Sequence, residues 1–249
     1  MKRTNMKRTI VCLGLVALLA VSFVSCKKKA EKPATGETAA EGDIGKFDEG
    51  YAAFREAIRF VSLTPGKEKA AGAAARAEEF FGEVQKAWPE EPPEQFEGDN
   101  DWPNRISTLT KIMGDIKNQV GADNLGDAEA GILEAQKLIM QLHENNNVNT
   151  AGDEAVRLLV IADEMELAFK EKRFNDMKHI MPNMREAQKN FFGSMIPPSA
   201  SGRENQFDDA KDKVYDGVEK FAEATDRETR AAALDDLIKT TTEFYVEFG

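Results

Sequence analysis

Apolar residues recur along most of the chain at steps of three and four, the spacing that places them on one face of an α-helix. The clearest runs begin at Phe47, Ile106, Leu125, Leu158 and Leu234. Sustained alternation of apolar and polar residues, the pattern of a strand, does not occur. A mean step of about 3.5 residues is typical of the narrow apolar stripe through which helices pack in bundles. The pattern therefore predicts an all-α protein.

Prolines, glycines and capping residues divide the pattern into eight helices. Thr64-Pro65 is typical of an N-cap followed by proline at the first helical position, and Asp226 is a second candidate N-cap. Gly121 and Gly126 flank a short turn. The predicted helices cover 44–63, 65–88, 103–120, 126–145, 152–172, 176–195, 204–224 and 227–247.

A polar break near the middle of the chain separates the first four helices from the last four. Each half has a long proline-containing loop between its second and third helices, and the Phe-Phe-Gly sequence at 80–82 recurs at 191–193. Duplication of one unit is the simplest interpretation. We therefore predict tandem antiparallel four-helix bundles over 44–145 and 152–249.

The N-terminal segment has the layout of an export signal. Basic residues precede an uncharged run from Ile10 to Val24, whose 15 residues are fewer than the about 20 that span a membrane. The following Ser25-Cys26 resembles the lipobox of bacterial lipoproteins, although Phe23 stands where leucine is usual. The resemblance implies a cleaved signal peptide over 1–25 and an acyl chain, such as palmitate, on Cys26. The alternative is an ordinary secretory signal with an incidental cysteine.

Residues 26–43 combine the candidate anchor with a stretch rich in Lys, Glu, Ala, Thr and Gly. Such a composition cannot bury enough apolar surface to fold, so we expect a flexible tether. The folded part would then be held at the bacterial cell envelope, on the periplasmic side or exposed at the surface. The expected partners are the membrane, through the lipid, and a protein partner in the envelope.

Charge and cysteine content exclude several classes of function. The chain has 33 Lys+Arg and 44 Asp+Glu, a net charge of −11, which disfavours nucleic-acid binding. Cys12 and Cys26 are the only cysteines. A chain cleaved before Cys26 therefore has no disulfide scaffold, catalytic cysteine or Cys-x-x-Cys-His haem site. With no hydrolytic triad or glycine-rich phosphate loop either, an enzyme is not expected.

The segment 237–246 reads Leu-Ile-Lys-Thr-Thr-Thr-Glu-Phe-Tyr-Val and resembles the last helix of the periplasmic four-helix-bundle cytochromes. The layout of each half is similar to the soluble b-type cytochrome and to cytochrome c prime. In the b-type family a histidine on that helix and a methionine on the first helix hold the haem. Here Val246 replaces the histidine, although Met165 has a comparable place to the methionine. The first half has His143 but no methionine within 44–63.

The resemblance implies the bundle fold, but neither half supplies both haem ligands. Met140 and His143, three residues apart, share a helix face and are weak metal candidates together with Met165. No third ligand is identifiable, so we expect no metal and no cofactor. The stripe of Met177, Met181 and Met184 is expected to fill the core.

Trp88, Phe96 and Trp102 lie within an acidic loop and are the preferred place for a partner contact. The alternative is a solvated loop whose aromatic residues cover the end of the bundle. The sequence as a whole favours a lipid-anchored envelope protein that acts as a binding or structural module. The alternative function is haem- or metal-dependent electron transfer.

Overall fold

All regular secondary structure is helical in the computed structural model, which describes residues 50–249. The first helix, α1, is α-helical over 50–58 and continues as a π-helix over Arg59–Leu63. The later helices are α2 (Lys67–Ala87), α3 (Trp102–Gly121), α4 (Leu125–Asn145), α5 (Ala151–Lys170), α6 (Phe174–Gly193), α7 (Glu204–Glu223) and α8 (Arg227–Phe248). Short 3-10 turns cover Glu94–Phe96 and Pro198–Ala200. The predicted signal peptide, Cys26 and the tether lie outside the described residues.

The all-α prediction is confirmed, but the predicted N-cap of α2 is wrong. Gly66 occupies that position, so Pro65 precedes the helix. Thr64 instead closes α1, because its backbone N–H donates to the Arg59 carbonyl at 2.8 Å. Its hydroxyl donates to the same oxygen at 3.3 Å. The π turn at the end of α1 is therefore closed by Thr64, the residue that the sequence pattern predicts as the N-cap of α2.

Two other helix starts have side-chain caps. Asp226 Oδ1 accepts a hydrogen bond from the Thr229 backbone N–H at 2.9 Å, as expected for the start of α8. At the start of α5, Thr150 and Asp153 form a reciprocal capping box. These bonds satisfy N–H groups that the first turn of a helix leaves without intrahelical acceptors.

The turn between α3 and α4 depends on Asp123, which has φ +63°. The glycines predicted to flank this turn, Gly121 and Gly126, both lie inside helices. Asn147 and Lys172 have similar positive φ values after α4 and α5. Single residues in the left-handed region therefore end three helices of the described part without glycine.

Helix packing follows chain order within each half and also joins the halves. The helix α3 packs between α2 and α4. In the second half, α5 and α7 each contact both α6 and α8, which closes a circuit of four helices. The π-helical end of α1 contacts α8, and α4 contacts α5. Side chains from all eight helices belong to one buried hydrophobic cluster.

Gly249 packs against the first turn of α5. A Cβ atom on Gly152 would lie 2.7 Å from the Gly249 Cα, so this close approach requires glycine. Arg55 of α1 donates from Nη1 to the Gly249 carbonyl at 2.6 Å. These contacts bring α1, α5 and the end of α8 together.

Within residues 50–249, no helix has an apolar stretch that is long enough to cross a membrane.

Candidate functional site

A cleft of about 570 Å³ lies where α1, α4, α5 and α8 meet. Its volume falls within the about 300–1,000 Å³ that is common for small-molecule sites. Aliphatic side chains from all four helices form much of its wall, namely Ile58, Leu63, Ile132, Leu133, Leu159 and Ile238. The cleft therefore lies between the two predicted halves and has room for a ligand with an apolar body.

Gln136 of α4 is the unusual residue in this wall. It is only 2% exposed, and its Nε2 is buried with no hydrogen-bond partner among the described residues. The other buried residues of α4 are apolar. An unsatisfied buried amide costs about 1–3 kcal/mol, so its presence needs an explanation. The Nε2 atom itself has almost no accessible surface, so it lies behind the wall of the cleft.

The charged groups at the cleft give it a net negative charge. Its lining includes four carboxylates and two lysines, namely Glu129, Asp163, Glu166, Asp235, Lys170 and Lys239. Lys170 Nζ lies 2.8 Å from Glu166 Oε1. This hydrogen bond, together with the charges of Asp163 and Asp235, raises the pKa of Lys170. The lysine ammonium groups therefore neutralise only part of the negative charge.

Glu129 lies at the cleft mouth and retains an exposed surface. Desolvation by the surrounding protein raises the pKa of Glu129, and the charge of Glu166 raises it further. The nearby Ser62 side chain lowers the pKa without cancelling the increase. A cation that enters the cleft would relieve the repulsion between Glu129 and Glu166.

The π-helical segment Arg59–Leu63 contributes directly to the cleft. Ser62 and Leu63 both line it. Insertion of a π turn widens the helix locally and changes the direction of its side chains, and such turns are frequent at functional sites. Ser62 of this turn lines the same cleft as Glu129 of α4. The π turn therefore shapes the cleft mouth.

The three aromatic residues predicted to contact a partner lie mostly inside the protein. Trp102 is fully buried and Phe96 is 6% exposed. The two rings stack with centroids 5.7 Å apart and an interplanar angle of 22°. Trp102 Nε1 donates to the Trp88 carbonyl at 2.9 Å. This arrangement corresponds to the alternative in which the aromatics cover the end of the bundle, and the partner contact stays a prediction.

A buried ion pair that the sequence pattern does not reveal joins the same loop to α3. Asp99 is 2% exposed, and its Oδ2 accepts a hydrogen bond from Arg105 Nε at 2.7 Å. Asn145 Nδ2 donates to Asp99 Oδ1 at 3.0 Å. Burial alone would raise the pKa of Asp99, but these hydrogen bonds and the Arg105 charge hold it below its usual value. The acidic loop is thereby fixed to the end of α4.

The candidate metal ligands occupy different environments. His143 Nδ1 lies 2.9 Å from Asp153 Oδ1, Met140 is partly buried against the core, and Met165 is fully buried. Met177 and Met184 are buried, and Met181 packs against the same core. In the part of the chain that the structure describes, no group of three or more His, Cys, Asp or Glu residues is arranged to hold a metal.

Sequence reasoning missed the cleft, although one signal for it was present. Gln136 follows Ile132 by four residues and precedes Ile139 by three, so it places an amide on the apolar face beside Ala135. The carboxylates, by contrast, occupy exposed or half-buried helix positions and give no such signal.

No protein-family model matches the chain, and no curated protein or solved structure matches it.

Proposed function

We propose that this chain is a lipid-anchored protein of the cell envelope that binds a small organic ligand between two helical units. The observation that carries the binding role is the cleft of about 570 Å³, whose largely aliphatic wall includes the buried amide residue Gln136. A protein interior normally satisfies such a group or replaces it with an apolar residue. Retention of an unsatisfied amide beside an open cleft favours ligand binding over a purely structural role.

The proposed architecture is two tandem four-helix units, 44–145 and 152–249. The closed packing of α5, α6, α7 and α8 supports this division in the second half. Contacts of α3 with α2 and α4, and of α1 with α2 and α4, support it in the first half. The cleft would then lie at the junction of the units, a common location for ligand sites.

The proposed anchor is supported by the sequence alone. The basic start, the short apolar run and Ser25-Cys26 occur in the order of a lipoprotein signal. The following polar segment up to residue 43 would separate the helical units from the membrane surface. In this arrangement the binding cleft is presented to solutes at the envelope.

Detergent phase partitioning of the protein expressed in bacteria tests the anchor. Wild-type protein should enter the detergent phase, and the Cys26→Ser variant should enter the aqueous phase or retain its signal peptide. Cys12→Ser is the matched control, because Cys12 lies inside the apolar run, and it should behave as wild type. Equal release of wild type and Cys26→Ser into the aqueous phase would contradict the anchor.

A ligand screen followed by NMR tests the binding role. Small organic molecules that include cations, anions and neutral compounds are first ranked by thermal shift. The side-chain amide resonance of Gln136 then reports whether each hit occupies the cleft. At least one hit should shift this resonance in wild type. If no hit of any charge does so, the cleft is not a small-molecule site and the proposed function is wrong.

A further inference from the structure

We propose that the α6–α7 connection, residues 194–202, opens locally at its α6 end while its α7 end stays fixed. Lys211 of α7 holds the α6 end with a buried ammonium group, whereas Arg203 holds the α7 end through an ion pair near the surface. This inference does not depend on the proposed ligand, because neither the connection nor Lys211 lines the cleft.

Lys211 is only 8% exposed, an unusual degree of burial for a lysine. Its Nζ donates to the carbonyl of Ser194, the residue that ends α6, at 2.9 Å. The ammonium also lies 5.2 Å from the ring centroid of Phe192 and 5.1 Å from that of Phe207. It forms no ion pair with a carboxylate among the described residues. One carbonyl and two aromatic rings thus take the place of the water that a lysine ammonium normally keeps.

These contacts only partly replace the lost hydration of the ammonium. Desolvation lowers the pKa of Lys211, although the charges of Asp208 and Asp212, both on α7, act in the opposite direction. The charged form is therefore disfavoured while the connection is closed. Movement of Ser194 away from Nζ would let water reach the ammonium, so the buried charge favours opening.

The connection itself has few other contacts to hold it closed. Ala200 is the only buried residue of 194–202, and Met195 is 85% exposed. The backbone N–H of Ala200 donates to the Pro197 carbonyl at 2.9 Å, a bond within the connection. Segments with few buried side chains and only local hydrogen bonds open at a lower free energy than the core. Opening would therefore break little besides the contacts of Lys211.

Arg203 fixes the α7 end without burying a charge. Its guanidinium pairs with the Glu247 carboxylate of α8, and both groups stay partly exposed, so neither loses its hydration. The guanidinium carbon also lies 4.9 Å from the ring centroid of Phe248, and Nε donates to Gln206 Oε1 at 2.9 Å. Gly202, with φ +85°, precedes this anchor and supplies a backbone conformation that glycine adopts readily. The hinge of the opening is therefore placed at residues 202–203.

Residue-resolved hydrogen exchange in the isotope-labelled full chain, purified in detergent, tests the inference. Lys211→Met removes the charge and keeps a flexible side chain. Exchange of the Ala200 backbone N–H should slow by about threefold to tenfold, because closure no longer buries an ion. Lys213→Met, at an exposed position on the same helix, should leave this exchange unchanged. Lys211→Arg keeps a permanent charge, so exchange should be as fast as in wild type or faster.

Wild-type protein provides a measurement that needs no substitution. Exchange of the Ala200 N–H should not depend on low concentrations of urea, as expected for local opening. Exchange that instead accelerates with urea as global unfolding does would contradict the inference. The Phe207 N–H, which donates to the Arg203 carbonyl at 3.0 Å, should exchange more slowly than Ala200 and equally in every variant.

Three results with the variants would overturn the inference. Unchanged or faster exchange of Ala200 in Lys211→Met would show that the ammonium does not favour opening. Equal slowing in Lys213→Met would assign the effect to the overall charge of the protein. Exchange of Phe207 that changes in step with Ala200 would show that α7 opens as well, so that Arg203 is not the hinge.

Discussion

His143 Nδ1 lies 2.9 Å from Asp153 Oδ1 and 3.1 Å from Oδ2, and this contact joins the last turn of α4 to the first turn of α5. The same carboxylate accepts hydrogen bonds from the backbone N–H and the hydroxyl of Thr150, both at 2.8 Å. One buried aspartate thus caps α5 and holds the connection between the two predicted units.

Thr150→Ala should destabilise the protein more than His143→Ala. Loss of the threonine removes the capping box, which costs about 0.5–2 kcal/mol. Loss of the histidine leaves Asp153 bonded to Thr150, so its cost should be smaller. Urea unfolding followed by circular dichroism would measure both. A larger loss for His143→Ala would mean that the histidine, and not the capping box, controls this junction.

The buried Asp99–Arg105 pair should make stability depend on pH in the acid range. Because the folded-state pKa of Asp99 is lowered, its contribution is complete above the unfolded pKa of about 3.9. The contribution is lost as the pH falls through the lower folded-state value. The difference in unfolding free energy between wild type and Asp99→Asn should therefore shrink below about pH 4. Urea unfolding at several pH values would measure this, with exposed Glu97→Gln as control.

Removal of only the cation of this pair, Arg105, should lower the free energy of unfolding more than Asp99→Asn does. Arg105→Met leaves Asp99 buried without its charged partner and should cost roughly 3–5 kcal/mol. Urea unfolding at neutral pH would measure the loss. A cost below that of Thr150→Ala would show that water reaches Asp99 easily and that the pair is not truly desolvated.

Gln136→Leu should separate binding from stability. The substitution removes a buried donor that has no partner among the described residues, so the unfolding free energy should stay constant or increase. Binding of a ligand-screen hit that occupies the cleft should nevertheless weaken, because Gln136 forms part of the cleft wall. Gln188→Leu is the matched control. The buried Gln188 side chain donates to the Tyr215 carbonyl at 3.1 Å, so this variant should have a lower free energy of unfolding. Equal destabilisation by both variants would contradict the unsatisfied state of Gln136.

Met165→Ala should act through packing and not through a lost cofactor. Met165 is fully buried, so truncation should cost roughly 2–5 kcal/mol in urea unfolding. Met195→Ala, at an 85% exposed position, should have an effect within about 0.5 kcal/mol. The purified protein should be colourless and take up haem only weakly. Tight stoichiometric haem that is lost in His143→Ala would instead support the electron-transfer alternative.

The segments 44–145 and 152–249 should each fold when expressed alone. Each retains its own set of packed helices, so circular dichroism should be strongly helical and unfolding cooperative. Separation removes contacts such as that between Arg55 and Gly249, so each segment should be less stable than the whole chain. If neither segment folds while the whole chain does, the helices form one inseparable core.

The helices were predictable because their signal is local. Apolar residues such as Ile132, Ile139 and Leu142 reveal the buried stripe of α4 through their spacing alone. Helix ends were harder to predict. Thr64 closes the π turn of α1, and Asp123 follows α3 with a left-handed backbone conformation. Both features reflect competition between local preferences and the packing of neighbouring helices.

The cleft was not predictable in the same way, because its residues come from helices that are far apart in the chain. Glu129 of α4 and Asp235 of α8 are separated by more than 100 residues, and each alone is an ordinary exposed acid. The buried pairing of Asp99 with Arg105 likewise depends on a loop folding back onto the end of α4. By itself, the sequence determined an all-α chain and the approximate helix positions, since helix periodicity depends on residues within a few turns. Only the tertiary structure decided which helix faces meet, and therefore where Gln136 and the surrounding charges form a cleft.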